Sequence, residues 1–141
     1  MDNCIFCQII AGKAPASVVY RDEQIIAFMS LQQVNEGHTL VVPIRHLKNI
    51  YELTDDLAGP LLSTAARVAR VLKREFNADG MMLWQFNELA GNQSVFHLHI
   101  HVIPRFYNDR LGPRIELPPP SDRATLDNLA VRIRPGLEAG G

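Results

Sequence analysis

The chain of 141 residues predicts an α+β fold: a mainly antiparallel five-stranded sheet with one long helix and short terminal helices. Short apolar runs near the N-terminus are joined by connections of hairpin length, which favours antiparallel pairing. One long apolar stripe at helical spacing follows these runs. Further strand-like runs come after the stripe. The resulting order, β-β-β-α-β-β, places the long helix against a single sheet.

Composition and charge exclude several classes of protein. Hydrophobic residues make up 47% of the chain and charged residues 21%, which is ordinary for a globular protein of one domain. The net charge of −1 gives no basic surface for a nucleic acid partner. No apolar run reaches the roughly 18 residues that span a membrane. The N-terminus lacks the basic and apolar regions of a signal peptide, so we expect a cytoplasmic protein.

The elements before the long helix are short. Residues 4–11 predict a short helix. Residues 18–21 and 25–29 predict two strands, joined by a hairpin loop. A third strand is predicted over residues 39–43, where β-branched and aliphatic residues are followed by a proline.

The long helix is predicted over residues 55–76. Apolar side chains recur there at intervals of three or four residues, which makes one stripe along a helix. Thr54 is the expected N-cap, and acidic residues in the first turn with basic residues in the last turn suit the helix dipole. The stripe consists of Leu57, Leu61, Ala65, Val68, Leu72 and Phe76.

Two strands and a late helix complete the expected fold. The strands are predicted over residues 81–86 and 96–103. The domain itself is placed at residues 1–106. Residues 107–141 are expected to form a C-terminal tail, with a short helix over 121–134, packed on the same domain.

Three of the five histidines of the chain lie in the segment His97-Leu98-His99-Ile100-His101. Successive side chains of a strand point to opposite faces, so the imidazoles share one face and the apolar residues are buried on the other. Imidazole titrates near neutrality and has two distinct nitrogens. The row therefore suits a metal site or nucleophilic and acid–base catalysis better than it suits a core.

Other candidate groups surround this segment in the sequence. Cys4 and Cys7 form a CxxC pair, which is half of a zinc site, although two buried thiols are the alternative. His38 and His46 flank the third strand, and each is expected to join a different cluster. The loop over residues 87–94 has a glycine and several amides that could donate to a phosphate, although it could equally be an ordinary hairpin loop.

These motifs together resemble the histidine triad (HIT) family of nucleotide hydrolases and transferases. The hallmark of that family, His-φ-His-φ-His-φ-φ with φ apolar, stands at residues 97–103. Similar segments stand upstream, in the order of the family, at residues 91–96, 37–43 and 4–10. The resemblance covers residues 4–106 and implies a HIT-like fold.

The resemblance implies cleavage of a nucleotide at its α-phosphate, with phosphoramidates and dinucleoside polyphosphates as substrates. His99 would attack the phosphorus and form a covalent nucleotidyl-histidine, while a backbone carbonyl holds the proton of its other nitrogen. His101 and His38 would bind or protonate phosphate oxygens, and Gln93 would contact the phosphate or the leaving group. The expected residues for binding a purine nucleotide are Asn87, Ser94, Ser30, Phe28, Leu31 and Phe6.

Some bacterial members of the family also bind zinc, and the ligand set that carries over is Cys4, Cys7, His46 and His97. Such a closed site would be structural, and the chemistry itself would require no metal. The five histidines would then divide into two for zinc and three for catalysis. The resemblance also implies a homodimer, in which two sheets join through the helix and strand region.

Two positions depart from the family pattern. Ser30 stands where many members have an acidic residue that binds the ribose hydroxyls, and a serine gives one weaker hydrogen bond. Asn92 stands where a glycine usually precedes the glutamine. An alternative function is therefore a slow or non-catalytic purine-nucleotide-binding regulatory protein. A hydrolase with a catalytic metal on the histidine row is a third possibility.

Overall fold

A computed structural model describes residues 3–113 and 115–138 of the chain. Its strands are β1 (Val18–Arg21), β2 (Ile25–Met29), β3 (Thr39–Pro43), β4 (Gly80–Trp84) and β5 (Ile100–Arg105). Its α-helices are α1 (Ile5–Ile10), α2 (Asp55–Glu75) and α3 (Arg123–Glu138). Within the described ranges, no helix combines the length and the apolar character that a membrane crossing requires.

The strands form one sheet in the order β1-β2-β3-β5-β4, and every neighbouring pair is antiparallel. The last strand, β5, lies between β3 and β4. His101 consequently has Leu40 opposite it on one side and Trp84 on the other. The α+β class and the antiparallel five-stranded sheet are thereby confirmed. The topology also brings the histidine segment next to the strand that follows His38.

The sheet has an apolar cluster on each face. Side chains alternate along β2, so Ile25, Ala27 and Met29 join the larger cluster, which α2 and α3 cover. Ile26 and Phe28 point the other way, into a smaller cluster that α1 helps to cover. Every residue of β2 and β3 is buried as a result.

Helix α2 buries the stripe that its spacing predicts. Thr54 occupies the N-cap position, but its hydroxyl donates to the carboxylate of Asp56 and makes no capping bond to a backbone amide. Phe76 lies just beyond the last helical residue and is half-buried against the larger cluster. The buried residues are Leu57, Leu61, Thr64, Ala65, Val68, Val71 and Leu72.

Helix α3 extends the apolar core beyond residue 106. It begins two residues later and ends four residues later than the predicted helix over 121–134. Gly136 lets it lie close to α2, because a Cβ atom there would come within 2.9 Å of Cγ1 of Val71. Asp122 accepts a hydrogen bond from the backbone N–H of Thr125 and so caps the helix. The side chains that α3 buries are Leu126, Leu129, Ala130, Ile133 and Leu137.

The expectation of a histidine strand over residues 96–103 is only partly right. Regular hydrogen bonding to the neighbouring strands begins at Ile100, so His97 and His99 precede β5. The backbone N–H of Leu98 instead donates to the carbonyl oxygen of Leu47, at 2.7 Å. The alternation of side chains still holds, because Leu98 and Val102 are fully buried in the larger cluster. Strand β4 likewise starts and ends slightly earlier than predicted.

Candidate functional site

A cavity of about 440 Å³ lies beside the histidine segment. His99 and His101 line it, together with residues of α1, of β2 and of the segment that leads into α3. Most of its other lining residues are apolar. A largely apolar pocket with a few polar groups suits a ligand that has a flat ring and a polar end.

The imidazole of His99 has one nitrogen fixed by the backbone. Its Nδ1 atom lies 2.7 Å from the carbonyl oxygen of His97. Because a carbonyl oxygen only accepts, Nδ1 carries the proton and Nε2 carries the lone pair. Burial lowers the pKa of His99 below its ordinary value of 6.5, although the bond to the His97 carbonyl opposes this shift. The ring is therefore neutral at neutral pH, with a basic nitrogen available for chemistry.

The imidazoles of His38 and His101 form a hydrogen-bonded pair, and a backbone amide fixes which of their nitrogens carry protons. The N–H of Val34 lies 3.2 Å from Nδ1 of His38, so that nitrogen is an acceptor. His38 then carries its proton on Nε2 and donates it to Nδ1 of His101, at 2.9 Å. His101 in turn carries its own proton on Nε2. Burial lowers the pKa of both residues to about 3, so His101 offers a neutral N–H donor.

Aromatic rings pack against both cavity imidazoles. Phe6 contacts His99 edge-on, with the ring centroids 5.1 Å apart. Trp84 and Phe86 lie 6.1 and 5.5 Å from His101, again measured between centroids. The two imidazoles are themselves 4.9 Å apart. This packing restricts rotation of the rings and keeps their nitrogens in fixed directions.

Four residues form a second cluster that could hold a metal ion. The ligand atoms of Cys4, Cys7, His46 and His97 all lie within 4.8 Å of one another. The Nδ1 atoms of the two histidines are 3.1 Å apart, and Sγ of Cys4 is 3.4 Å from Nδ1 of His97. Tetrahedral zinc, with bonds of about 2.0–2.3 Å, places its ligands roughly 3.3–3.8 Å apart. The cluster therefore fits zinc in both chemistry and size.

The protonation states of the side chains in this cluster are also compatible with binding a metal ion. Nε2 of His97 lies 2.8 Å from the carbonyl oxygen of Pro43, which leaves Nδ1 unprotonated and free to coordinate. Burial lowers the pKa of His97 to about 4. Burial and the neighbouring thiol of Cys4 raise the pKa of Cys7 to about 11. A zinc ion would displace that thiol proton and remove the repulsion between the two sulfurs.

Most of the predicted substrate-binding residues line the cavity. Asn87 is absent from its described lining, because its Oδ1 accepts the backbone N–H of Ile50 at 2.8 Å and its amide pairs with Gln85. His38 is fully buried and acts on the cavity only through His101. The predicted residues in the lining are Phe6, Phe28, Ser30, Leu31, Ser94, His99 and His101.

Gln93 lies apart from the cavity and is 3% exposed. Its Nε2 donates to the carbonyl oxygens of Lys48 and Val95, and its Oε1 accepts the backbone N–H of Glu88. All these partners are backbone atoms. The side chain therefore fixes the loop that precedes the histidines.

The segment before α3 and the first residue of that helix contribute side chains that no pattern in the sequence places at a site. Leu117 and Arg123 line the cavity. The backbone N–H of Ser121 donates to the carbonyl oxygen of Leu31 at 2.9 Å, which joins the segment to the loop that follows β2. The prolines in this part of the chain indicate irregular backbone, and they give no sign of which surface it covers.

Comparisons with known sequences agree with this geometry. The HIT domain family profile matches residues 11–108. The chain is similar to Protein hit of Bacillus subtilis (strain 168), at 46% identity over 105 residues, 74% of this chain and 72% of that one. A more distant relative is the adenylylsulfatase HINT3 of Arabidopsis thaliana, at 28% identity over 110 residues, 78% of this chain and 56% of that one.

Solved structures show the same arrangement of elements. A hypothetical histidine triad nucleotide-binding protein from Sulfolobus tokodaii superposes with a TM-score of 0.87 and 30% identity, over 96% of this chain and 93% of that one. A Zn-bound histidine triad family protein from Mycobacterium smegmatis superposes with a TM-score of 0.84 and 28% identity, over 99% of each chain. The likeness extends over α3 as well as over the part that the family profile matches.

Proposed function

We propose that this chain, which belongs to the HIT domain family, is a nucleotide hydrolase or nucleotidyl transferase. It cleaves nucleoside phosphoramidates or dinucleoside polyphosphates at the α-phosphate, through a covalent intermediate on His99. One observation carries the proposal. The Nδ1 proton of His99 is held by the His97 carbonyl at 2.7 Å, and Nε2 has no hydrogen-bond partner among the described residues that surround the cavity.

The first step transfers the nucleotidyl group to the protein. Nε2 of His99 attacks the α-phosphorus, and the bond from phosphorus to the leaving nitrogen or oxygen breaks. The leaving group departs with the electron pair of that bond, and an amine leaving group takes up a proton from solvent. The imidazole gains positive charge as the new bond forms, and the carbonyl dipole of His97 stabilises that charge. The Nε2–H of His101 donates to a phosphate oxygen.

The second step returns the protein to its starting state. A water molecule, or another acceptor with a hydroxyl group, attacks the same phosphorus. The bond between phosphorus and Nε2 breaks, His99 regains its lone pair, and a proton passes to solvent. Splitting one displacement into two easier ones lowers the barrier to each.

The cavity walls suit the rest of a purine nucleotide. Phe6 and Phe28 pack edge-on, 5.3 Å apart, and with Leu31 they provide apolar surface for a base. Ser30 and Ser94 add hydroxyl groups for the sugar and the phosphate. Two relatives support this assignment, since one is named as nucleotide-binding and another as an adenylylsulfatase.

Zinc has a structural role in this proposal. Cys4 and Cys7 belong to the N-terminal segment and His46 follows β3, so an ion held by these residues and His97 joins the N-terminus to the sheet. Four protein ligands leave no open position for substrate. The reaction therefore uses imidazole nitrogens and needs no metal-bound water.

A quench experiment with an adenosine 5′-phosphoramidate tests the nucleophile. We expect the wild-type protein to release AMP, and rapid quenching to trap an adenylyl group that peptide mass spectrometry places on His99. His99→Asn should lose at least about 1,000-fold in kcat while it retains the fold and the metal. Leu89→Ala, in the exposed 3-10 turn of the preceding loop, is the control and should keep full activity.

The other outcomes of this experiment are equally informative. Unchanged turnover by His99→Asn would remove the nucleophile that we propose. AMP binding without turnover by the wild-type protein would favour the regulatory nucleotide-binding alternative. Immediate loss of activity on chelation, before the protein unfolds, would favour a catalytic metal.

We also propose a cytoplasmic homodimer that joins through the region of β4 and α2. Strand β4 is an edge of the described sheet and exposes Leu83, while α2 exposes Leu62. Unpaired strand edges and exposed leucines are surfaces that a second copy can cover. Light scattering during gel filtration should give twice the chain mass at micromolar concentration, and a monomer mass there would contradict the dimer.

A further inference from the structure

Arg123 supplies the one charged side chain in the described lining of the cavity. It is the first residue of α3, and it reaches the cavity because the preceding segment is hydrogen-bonded to the loop that follows β2. None of the ion pairs in the described part of the chain includes it. A largely apolar cavity whose described lining holds one guanidinium and no carboxylate is an attractive place for an anion.

The guanidinium of Arg123 is held in place by a short chain of hydrogen bonds. Its Nη1 donates to Oγ of Ser17 at 2.7 Å. That hydroxyl is almost fully buried and donates its own proton to Asp127 at 2.6 Å. Arginine has five N–H groups, and this bond uses one of them. The others remain available to a ligand in the cavity.

Two further hydrogen bonds, both between backbone groups, connect the surroundings of Arg123 to those of Ser30. The carbonyl oxygen of Ser17 accepts the N–H of Met29 at 3.0 Å, and the carbonyl oxygen of Leu31 accepts the N–H of Ser121 at 2.9 Å. Met29 and Leu31 are the two neighbours of Ser30 along the chain. The elements that carry Arg123 are therefore bonded to the backbone on both sides of that serine.

Because residue 30 is a serine and not an aspartate or glutamate, it places no negative charge that would repel an anion here. Its side chain is buried, uncharged and small, and its hydroxyl donates to the carbonyl oxygen of Gln32 at 3.0 Å. The described lining of the cavity holds no aspartate or glutamate. A carboxylate in place of Ser30 would bind free ribose hydroxyls and would repel a phosphate.

We propose that the Ser30–Arg123 subsite takes a phosphate group on the 2′ or 3′ oxygen of the ribose. The preferred substrates are then nucleotides with this second phosphate in addition to the reactive α-phosphate. The guanidinium fork matches two phosphate oxygens at once, and it supplies charge-assisted hydrogen bonds. Dinucleotide-binding proteins make a comparable exchange, from a carboxylate for the 2′-hydroxyl to an arginine for the 2′-phosphate.

This inference rests on the proposed function, because the subsite is part of the same nucleotide cavity. Affinity measurements distinguish a failure of the subsite proposal from a failure of the proposed function. The ligands are AMP, adenosine 2′,5′-bisphosphate and adenosine 3′,5′-bisphosphate, measured by titration calorimetry on the zinc-loaded full chain. We expect at least one bisphosphate to bind about tenfold more tightly than AMP or better, since each tenfold corresponds to about 1.4 kcal/mol.

Variants then assign the preference to the subsite. Arg123→Gln should bring the ratio of bisphosphate to AMP affinity close to one, and Ser30→Asp should reverse it in favour of AMP. Arg123→Lys should retain part of the preference, because it keeps the charge and loses the fork. Arg132→Gln is the matched control, since it lies on the same helix in an ion pair with Glu75 and should keep the full ratio.

Each other result contradicts at least one proposal. Equal or weaker binding of both bisphosphates, with normal phosphoramidate turnover, would overturn the subsite and leave the proposed function standing. If a folded Arg123→Gln protein still preferred the bisphosphates, the subsite would also be overturned. Arg123 would then have only a structural role, through its hydrogen bond to Ser17. Failure of AMP and of both bisphosphates to bind, together with no turnover, would overturn both proposals.

Discussion

The carbonyl oxygen of His97 accepts the Nδ1 proton of His99 at 2.7 Å, although only one residue separates the two histidines. The imidazole of His97 belongs to the metal cluster, and its backbone orients the ring of His99. Its Nε2 is held in turn by Pro43, at the end of β3. One residue therefore joins the metal cluster, the sheet and the proposed nucleophile.

Loss of zinc should destabilise the protein before it affects the chemistry. We expect about one zinc per chain in the wild-type protein, and loss of the metal in Cys7→Ser. The melting temperature should fall by at least about 5 °C, because the ion ties the N-terminal segment to the sheet. Metal analysis and scanning calorimetry measure both effects. A metal-free wild-type protein that melts at the temperature of the zinc-loaded one would contradict the structural role.

The hydrogen bond from His38 to His101 should control the rate of turnover. His38→Phe removes the donor, so His101 is no longer held with its proton on Nε2. We expect kcat to fall about 100-fold, within the range for a misplaced proton donor. His38→Gln, which keeps an amide donor and acceptor, should retain more activity. Nitrogen-15 chemical shifts of His101 report the tautomer directly, and an unchanged tautomer in His38→Phe would refute the relay.

Stability should decline as the pH falls below the ordinary histidine pKa. Burial lowers the pKa of His38 and of His101 from 6.5 to about 3. Between these values the unfolded state binds more protons than the folded state, so the free energy of unfolding decreases as the pH falls. Urea midpoints measured from pH 7 to pH 4 should show this decrease.

The His38→Phe variant provides the comparison for the pH series. It lacks one of the buried titrating groups, and it shares the metal cluster with the wild-type protein. Its stability should therefore change less steeply with pH over the same interval, at equal zinc concentration. Identical slopes for the two proteins would show that His38 is not buried in its neutral form.

Helix α3 should be essential to the stability of the fold. Leu126 is fully buried in the larger apolar cluster, so Leu126→Ala should cost about 2–5 kcal/mol of unfolding free energy. Val131 lies on the same helix and is 60% exposed, so Val131→Ala should change stability by less than about 0.5 kcal/mol. Chemical denaturation measures both. Equal, small effects would mean that α3 is an independent tail.

Local sequence patterns were sufficient to predict most of the elements, whereas the division of the histidines came from the family resemblance. The period of α2 and the alternation along β2 are properties of neighbouring residues, and burial follows from them directly. The resemblance also implied the four residues whose ligand atoms the structure brings within 4.8 Å of one another. Ligand chemistry and a family resemblance carried that prediction, and no local spacing would have paired Cys7 with His46.

Gln93 illustrates how the fold decides the hydrogen-bond partners of a side chain. Its amide type and its place beside the histidines suggested a contact with substrate. In the fold, backbone groups of Lys48, Glu88 and Val95 surround it and satisfy its amide, so it fixes the loop. Which donors and acceptors bind a side-chain amide depends on which groups come near it. That is a property of the tertiary structure.

The sequence by itself determined the class of fold and the types of side chain available to the site, because these depend on residue type and local periodicity. The tertiary structure decided which nitrogen of His38, His97 and His99 carries the proton, since Val34, Pro43 and the His97 carbonyl come into contact with these rings only on folding. It also brought Arg123 and Ser30 into the lining of one cavity, although 92 residues separate them in the chain, because α3 packs across β1 and β2. Long-range packing leaves no periodic trace in the sequence, so the contribution of Arg123 to the cavity wall emerges only from the fold.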